Sequence, residues 1–169
     1  METNTLPKVS FDAPETKCCP RFDPGPWQGA TVTLDRKTFV KGTTFNVLHM
    51  PLTFGAMMKK VWKQIEDAGA NSPDQFALLS YDVSPWKGEH LFWVTKDVPG
   101  AETISLSGTF RTEVFEGPFR NIPDWEKKLH DEFGASGTDV KKIYWYYTTC
   151  PKCAKQYGKN YCIAFVQIR

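Results

Sequence analysis

Five cysteines are the side chains with the most distinctive chemistry in this sequence. Cys150 and Cys153 have the CxxC spacing, and Cys18 and Cys19 are adjacent near the N-terminus. Two thiols at CxxC spacing form half of a tetrahedral zinc site. The other half would be Cys18 and Cys19, whose adjacency is awkward for a tetrahedron, or Cys162 with another ligand. We therefore expect reduced structural thiols and no cofactor, with structural zinc at Cys150 and Cys153 as the alternative.

A redox role for the CxxC motif is less favoured. Thioredoxin-like chemistry needs the motif at the start of a helix within a βαβ unit, and the pattern around Cys150 predicts a turn between two strands. An odd number of cysteines in a reducing compartment also favours thiols over disulfides.

Hydrolysis needs a carboxylate that activates water and a proton donor on the leaving side. Glu113 and Glu116 are the carboxylates beside a strand–turn–helix unit, and Tyr147 offers a phenol that could donate. Glu113 alternates out of phase with Phe110 and its apolar partners, so it faces either solvent or a cleft. A solvated edge glutamate and a packed tyrosine are the simpler alternatives.

Aromatic side chains are abundant and could hold a ligand. They make up 14% of the 169 residues, more than a core of this size needs. Trp93 and Trp145 lie on predicted central strands, and indole faces suit planar or cationic ligands. Core packing explains each indole equally well.

Charge and hydropathy exclude several classes of protein. The net charge is +2 and the basic residues are dispersed, which argues against nucleic-acid binding. No apolar run is long enough to cross a membrane. The N-terminus lacks the apolar region of a signal peptide, so we expect a cytoplasmic protein.

The elements that must position these residues follow a repeating order. Residues 1–28 are rich in proline and predict an extended lead-in, followed by one domain over residues 29–169. A strand over 30–40, a turn or bulge at Gly42 and a long turn over 150–159 are also expected. The repeated elements are strand 43–50, helix 53–68 and strands 76–82 and 89–96, then strand 107–115, helix 121–133 and strands 140–148 and 160–168.

This order predicts the α+β class. Two βαββ units, over about 43–96 and 107–168, would form one antiparallel sheet with both helices on one face. The other face would then be free to curve around a ligand and form a cleft.

Three short segments carry a resemblance to a known family. Residues 107–110 (SGTF), 115–122 (FEGPFRNI) and 143–147 (IYWYY) resemble the signature of the DNA-gyrase-inhibitor-like (GyrI-like) small-molecule-binding domains. More narrowly, residues 18–23 (CCPRFD) and 148–155 (TTCPKCAK) resemble uncharacterised bacterial proteins of that fold, some labelled hydrolase. The broad resemblance covers about residues 43–168.

The resemblance implies a function. Such domains bind flat aromatic or cationic molecules in a cleft, and some are hydrolases of reactive compounds. Trp145 stands where the family has an acidic residue, whereas Tyr147 matches the family's tyrosine. The chain has no helix-turn-helix segment, so the resemblance implies a stand-alone domain, monomeric or homodimeric.

The expected function is therefore the binding of small aromatic or hydrophobic molecules, cations among them, in an aromatic-lined cleft. The expected ligand-binding residues are Trp93, Glu113, Trp145 and Tyr147. One alternative is a hydrolase with a glutamate base and Tyr147 as donor, and a second is a zinc-stabilised interaction module.

Overall fold

Strands and helices follow one another in the order that the repeat predicts. The computed structural model describes residues 2–9 and 16–169. Its strands are β1 (Thr31–Val47), β2 (Met50–Pro51), β3 (Leu78–Ser84), β4 (Lys87–Trp93), β5 (Thr103–Glu116), β6 (Lys142–Tyr147) and β7 (Tyr161–Gln167). Its helices are α1 (Phe54–Asp67), α2 (Ile122–Ala135) and α3 (Pro151–Tyr157). The order β1-α1-β3-β4 and then β5-α2-β6-β7 confirms the duplicated βαββ arrangement of the α+β class.

The sheet closes on itself. Its antiparallel strands are ordered β2-β1-β4-β3-β6-β7-β5, and β1 also pairs with β5. The long β1 makes this possible, because its first part pairs with β5 at Val32–Phe110 and its later part with β4 at Val40–Phe92. The predicted single antiparallel sheet is thus rolled into a barrel of six strands, with β2 as a short addition at one edge.

Strand register separates an inner from an outer face of the barrel. Directly paired residues of antiparallel strands project to the same side, and successive residues alternate. The inner face, which was expected to be free to curve around a ligand, is filled by buried apolar side chains that include Phe39, Phe110 and Phe165. One row of the inner face is Lys41, Leu91, Leu79, Tyr146, Ile163 and Val114. The neighbouring row of the outer face is Gly42, His90, Ser80, Trp145, Ala164 and Glu113.

Both long helices pack on the outer face. Each has 14 residues and one apolar side. Helix α1 buries Met57, Val61 and Ile65, and α2 buries Leu129 over the strands β5, β6 and β7. Within the described part of the chain, no helix is long and apolar enough to cross a membrane.

The prediction of a turn or bulge at Gly42 is wrong. Gly42 lies inside β1, which runs without interruption where two strands were expected. A Cβ atom at this position would overlap the Met57 Sδ atom and lie 2.9 Å from Met57 Cγ. Gly42 therefore allows α1 to approach the sheet closely, which local sequence cannot distinguish from a turn.

The prediction of a long turn over 150–159 is also wrong, because this segment contains helix α3. Cys150 caps the helix, Pro151 occupies its first turn and Gly158 ends it in a left-handed conformation with φ of 73°. The helix has only seven residues. Such a short helix has too few turns to show an apolar period, so only its capping residues could have revealed it.

The lead-in packs over one end of the barrel, in its described part. Phe22 lies 6.1 Å from Tyr146, and Trp27 lies 5.7 Å from the same ring and 6.0 Å from Phe165. Trp27 is fully buried. These two aromatic side chains therefore join residues 16–28 to the inner core.

Candidate functional site

Three of the candidate ligand-binding residues lie on the outer face of the barrel. Register pairs Glu113 of β5 with Ala164 of β7, and Ala164 with Trp145 of β6. Tyr147 projects to the same face because it lies two residues beyond Trp145. The sequence left open which way Glu113 faces. In the structure it faces outward, on the side that carries α2.

The Glu113 carboxylate is held by two side chains. The Gln28 Nε2 group donates a hydrogen bond to Glu113 Oε2, and Gln28 Oε1 accepts one from the Val114 backbone N at 2.9 Å. The Arg111 Nε atom lies 3.6 Å from Glu113 Oε1. The Glu113 side chain is still 22% exposed. The carboxylate is therefore both oriented and accessible to a small molecule.

A cavity of about 360 Å³ opens beside Glu113, on the side of the C-terminal end of α2. The cavity is shallow and largely open to solvent, so a small molecule bound in it would stay partly exposed. Phe133 and Ile168 give it apolar surface, and two carboxylates with one guanidinium give it a formal charge of −1. The lining residues are Arg111, Glu113, Glu132, Phe133, Ser136, Thr138 and Ile168.

Trp145 is covered by α2. Its side chain is 4% exposed, and its Nε1 group donates a hydrogen bond to Glu126 Oε1 at 2.8 Å. The Trp125 and Phe115 rings each lie 5.9 Å from the Trp145 ring. Trp145 thus packs between sheet and helix, and its indole is not among the groups that line the cavity.

Tyr147 lies further from Glu113 along the same face. It sits opposite Cys162 in β7, and the Phe119 ring contacts it edge-on at 5.2 Å. Burial raises the pKa of the Tyr147 phenol, so the phenol stays protonated at neutral pH. Tyr147 is not among the lining residues, so the structure does not bring the expected base and donor into one cavity.

Trp93 lies on the opposite face from the other three candidates. It pairs with Phe39 in register, and the two rings meet edge-on at 5.6 Å inside the barrel. The Lys37 Nζ atom lies 4.0 Å from the Trp93 ring centroid and donates a hydrogen bond to the Val94 carbonyl at 2.6 Å. Burial lowers the pKa of Lys37. Trp93 and Glu113 are thus on different sides of the barrel wall.

The cysteines of the two motifs come together in space. The Sγ atoms of Cys18, Cys19, Cys150 and Cys153 all lie within 4.8 Å of one another. The adjacency of Cys18 and Cys19, which looked awkward in the sequence, still places both thiols beside the CxxC motif. Cys162 is buried in the core of the α2 side and is not part of this group.

Different surroundings shift the pKa values of these thiols in opposite directions. A hydrogen bond with Thr16 lowers the pKa of Cys153 to about 6, and burial raises the pKa of Cys19 to about 12. The CxxC motif does stand at a helix start, contrary to expectation, but α3 connects two antiparallel strands and is not part of a βαβ unit.

Sequence reasoning missed Gln28 and Arg111. Arg111 could have been found, because it lies two residues from Glu113 on the same face of a strand. Gln28 could not have been found from local sequence, because it is 85 residues from Glu113 in the chain and the two meet only in the folded protein.

Comparisons with known proteins identify a family and a distant structural neighbour. A sequence profile of a family described as bacterial hydrolase matches residues 9–168. Curated proteins gave no match. Among solved structures, SAV2435 bound to tetraphenylphosphonium is similar, with 12% identity and a TM-score of 0.47 over 84% of this chain and 94% of that chain.

Proposed function

We propose that this chain, which belongs to the bacterial hydrolase family, binds small aromatic or hydrophobic molecules, preferably cations, in the cavity beside Glu113. It would do so as a GyrI-like domain. The observation that carries the proposal is the Glu113 carboxylate, which is oriented by Gln28 and Arg111 and remains accessible within a cavity of about 360 Å³.

The charge of the cavity supports a cation. Glu113 and Glu132 contribute two negative charges, and Arg111 contributes one positive charge. Glu132 also pairs with Lys128 at 3.6 Å, but both side chains are more than half exposed, so solvent screens this pair. A cationic ligand would gain attraction from both carboxylates.

The apolar part of the cavity supports an aromatic or hydrophobic body. Phe133 offers a ring and Ile168 an aliphatic side chain, and the Ser136 hydroxyl is occupied by a hydrogen bond to the Phe133 carbonyl at 2.8 Å. Ligand sites of this kind combine apolar surface with a few oriented polar groups. Trp145 lies beneath α2, so it would support the site from behind rather than stack on the ligand.

Fluorescence anisotropy with acridine orange, a planar cation, tests the proposal. Saturable binding is expected, with much weaker binding of the anionic naphthalenesulfonate. A partly exposed charge pair is worth about 1 kcal/mol, so E113Q should weaken the binding of the cation about fivefold. R111Q should strengthen it, because it removes the positive charge of the cavity.

Glu116→Gln is the matched control, since Glu116 is an exposed carboxylate on the same strand that does not line the cavity. It should bind the dye as the unaltered protein does. Equal affinity of E113Q, R111Q and E116Q would place any binding site elsewhere.

Family membership favours hydrolysis as a second candidate function. Glu113 would act as general base on a water molecule in the cavity, and solvent water would protonate the leaving group, since Tyr147 does not line the cavity. The substrate would be a reactive small molecule that fits beside Phe133.

Turnover of activated esters and strained-ring electrophiles tests this candidate. Loss of a general base lowers kcat about 100-fold or more, so E113Q should do so. Tyr147→Phe removes a hydroxyl outside the cavity and should leave turnover unchanged. Full activity in E113Q would exclude Glu113 as the base and leave the binding proposal to the dye experiment.

A further inference from the structure

We infer that Cys18, Cys19, Cys150 and Cys153 form a structural zinc site that fastens the N-terminal segment to helix α3. The site is separate from the Glu113 cavity and does not depend on the function proposed for it. Its evidence is the arrangement of four thiols from two distant parts of the chain.

The distances between the sulfur atoms fit a tetrahedral metal. A Zn–S bond of about 2.3 Å places two sulfur ligands of a tetrahedron about 3.8 Å apart. The Cys18 Sγ atom lies 3.7 Å from Cys19 Sγ and 3.9 Å from Cys150 Sγ. With Cys153, all four atoms lie within 4.8 Å of one another. The four sulfur atoms are thus gathered at about the spacing that a tetrahedral zinc ion requires.

Disulfides fit this arrangement less well. A disulfide bond is about 2.05 Å long and joins Cα atoms about 4.4–6.8 Å apart. Adjacent residues have Cα atoms about 3.8 Å apart, so Cys18 and Cys19 cannot form an unstrained bridge with each other. Each also has two or more sulfur neighbours, whereas a disulfide uses one.

Backbone groups support the thiolates. The Cys150 N–H group donates to Cys19 Sγ, and the Cys153 N–H group donates to Cys150 Sγ, both at 3.5 Å. A thiolate bound to a metal keeps negative charge and accepts such hydrogen bonds. They also set the orientation of the sulfur ligands before the metal binds.

The charge around the site compensates for four thiolates. Segments 16–22 and 150–159 contain five basic residues and no acidic residue, so their positive charge favours a tetrathiolate zinc centre with its net charge of −2. The basic residues are Lys17, Arg21, Lys152, Lys155 and Lys159.

Zinc is the metal that this ligand set favours. Four thiolates in tetrahedral geometry select zinc or iron, and four protein ligands leave no open position for a substrate. The role of the site is therefore structural. It would hold residues 16–22 against α3, where Thr16 Oγ1 and Tyr157 Oη lie 3.2 Å apart and the Arg21 guanidinium lies 4.4 Å from the centre of the Tyr157 ring.

Metal analysis of the full chain, purified in reductant and without chelator, tests the inference. One zinc per chain is expected, and C150S and C18S should lose it. Cys162→Ala is the matched control, because Cys162 lies outside the group, and it should keep its zinc. Less than about a tenth of an equivalent of zinc would overturn the inference, and one equivalent of iron would overturn the choice of metal.

Cobalt substitution keeps the test decisive if the cysteine variants fail to fold. The unaltered protein, stripped with a chelator and titrated with Co²⁺, should develop thiolate-to-cobalt charge-transfer bands and the visible bands of tetrahedral Co²⁺. Saturation at one equivalent and displacement by zinc support the site. A spectrum of octahedral Co²⁺ at every ratio contradicts it.

Discussion

The Cys18 Sγ atom lies 3.9 Å from the Cys150 Sγ atom, although the two residues are 132 positions apart in the chain. The segment that follows Cys18 continues over the end of the barrel through Phe22 and Trp27 and reaches Glu113 through Gln28. One stretch of 13 residues, 16–28, therefore connects the cysteine group with the cavity on β5.

Removing the metal should loosen this stretch. Without the sulfur ligation, residues 16–22 keep only hydrogen bonds and ring contacts to hold them, so they should open more often. Trypsin should then cut after Lys17 or Arg21 about tenfold faster in chelated protein than in zinc-loaded protein, as followed by mass spectrometry. The C162A variant, treated in the same way, should show the same acceleration. Equal cleavage rates with and without zinc would mean that other contacts hold the segment.

Replacing Gln28 by leucine should weaken ligand binding at the cavity. The change removes the donor to Glu113 and leaves the Val114 N–H group without its acceptor, which costs about 1 kcal/mol or more. We expect a loss of urea stability of that size and about threefold weaker binding of acridine orange. Gln64→Leu on α1 is the control and should leave dye binding unchanged. Unaltered binding in Q28L would show that Gln28 does not position Glu113.

Acid should destabilise the protein through His90. The side chain is buried and sits between Ser80 Oγ at 2.8 Å and Thr44 Oγ1 at 3.0 Å, and burial lowers the pKa of His90 from 6.5 to about 4. The nearby Asp82 and Glu89 only partly offset this effect. As the pH falls, the unfolded chain binds a proton at His90 before the folded chain does. The contribution of neutral, buried His90 to the free energy of unfolding is therefore complete above about pH 6.5 and is lost as the pH falls towards 4.

The difference between the His90 pKa of the unfolded chain and that of the folded chain corresponds to about 3 kcal/mol in the free energy of unfolding. Urea unfolding between about pH 4 and pH 7 should show this loss in the unaltered protein and a flatter profile in H90Q. H130Q, which removes an exposed histidine from α2, should keep the unaltered profile. The assignment to His90 fails if H90Q retains the full pH dependence.

A methyl group at Gly42 should push α1 away from the sheet. A Cβ atom there overlaps Met57 Sδ, and Met57 is buried, so it has little room to move. G42A should lower the free energy of unfolding by about 1–3 kcal/mol. Gly55→Ala is the matched control, because nothing lies within 4 Å of its added Cβ, and it should be neutral or stabilise α1 by up to about 1 kcal/mol. If G42A were as stable as the unaltered protein, the close packing of α1 would not require glycine.

Most of the fold could be predicted, because the local periodicity of apolar residues indicates its helices and strands. The apolar spacing of α1 and α2 and the alternation along β5 and β6 depend only on residues close in sequence, and the structure has these elements within a few residues of the expected bounds. The same alternation showed that Glu113 does not share a face with Phe110. Helix α3 was not predicted, because seven residues are too few to show an apolar period. Gly42 was assigned to the wrong structure, because a close approach between elements and a turn both favour glycine.

The candidate site was harder to predict, because its residues meet only through register and closure. Trp93 and Trp145 look alike in the sequence, yet the pairing of β4 with β3 and of β3 with β6 places one inside the barrel and the other beneath α2. Similarly, nothing local indicates that the cavity includes Phe133 and Arg111 but not Tyr147.

The sequence by itself determined the α+β class, the repeated order of elements and the residue types available for chemistry, since each depends on short-range patterns. Only the tertiary structure decided which of those residues act together. Closure of the barrel brings Gln28 to Glu113, and the path of the N-terminal segment brings Cys18 and Cys19 to Cys150 and Cys153. Contacts between distant positions depend on the whole set of strand pairings, so no local pattern could specify them.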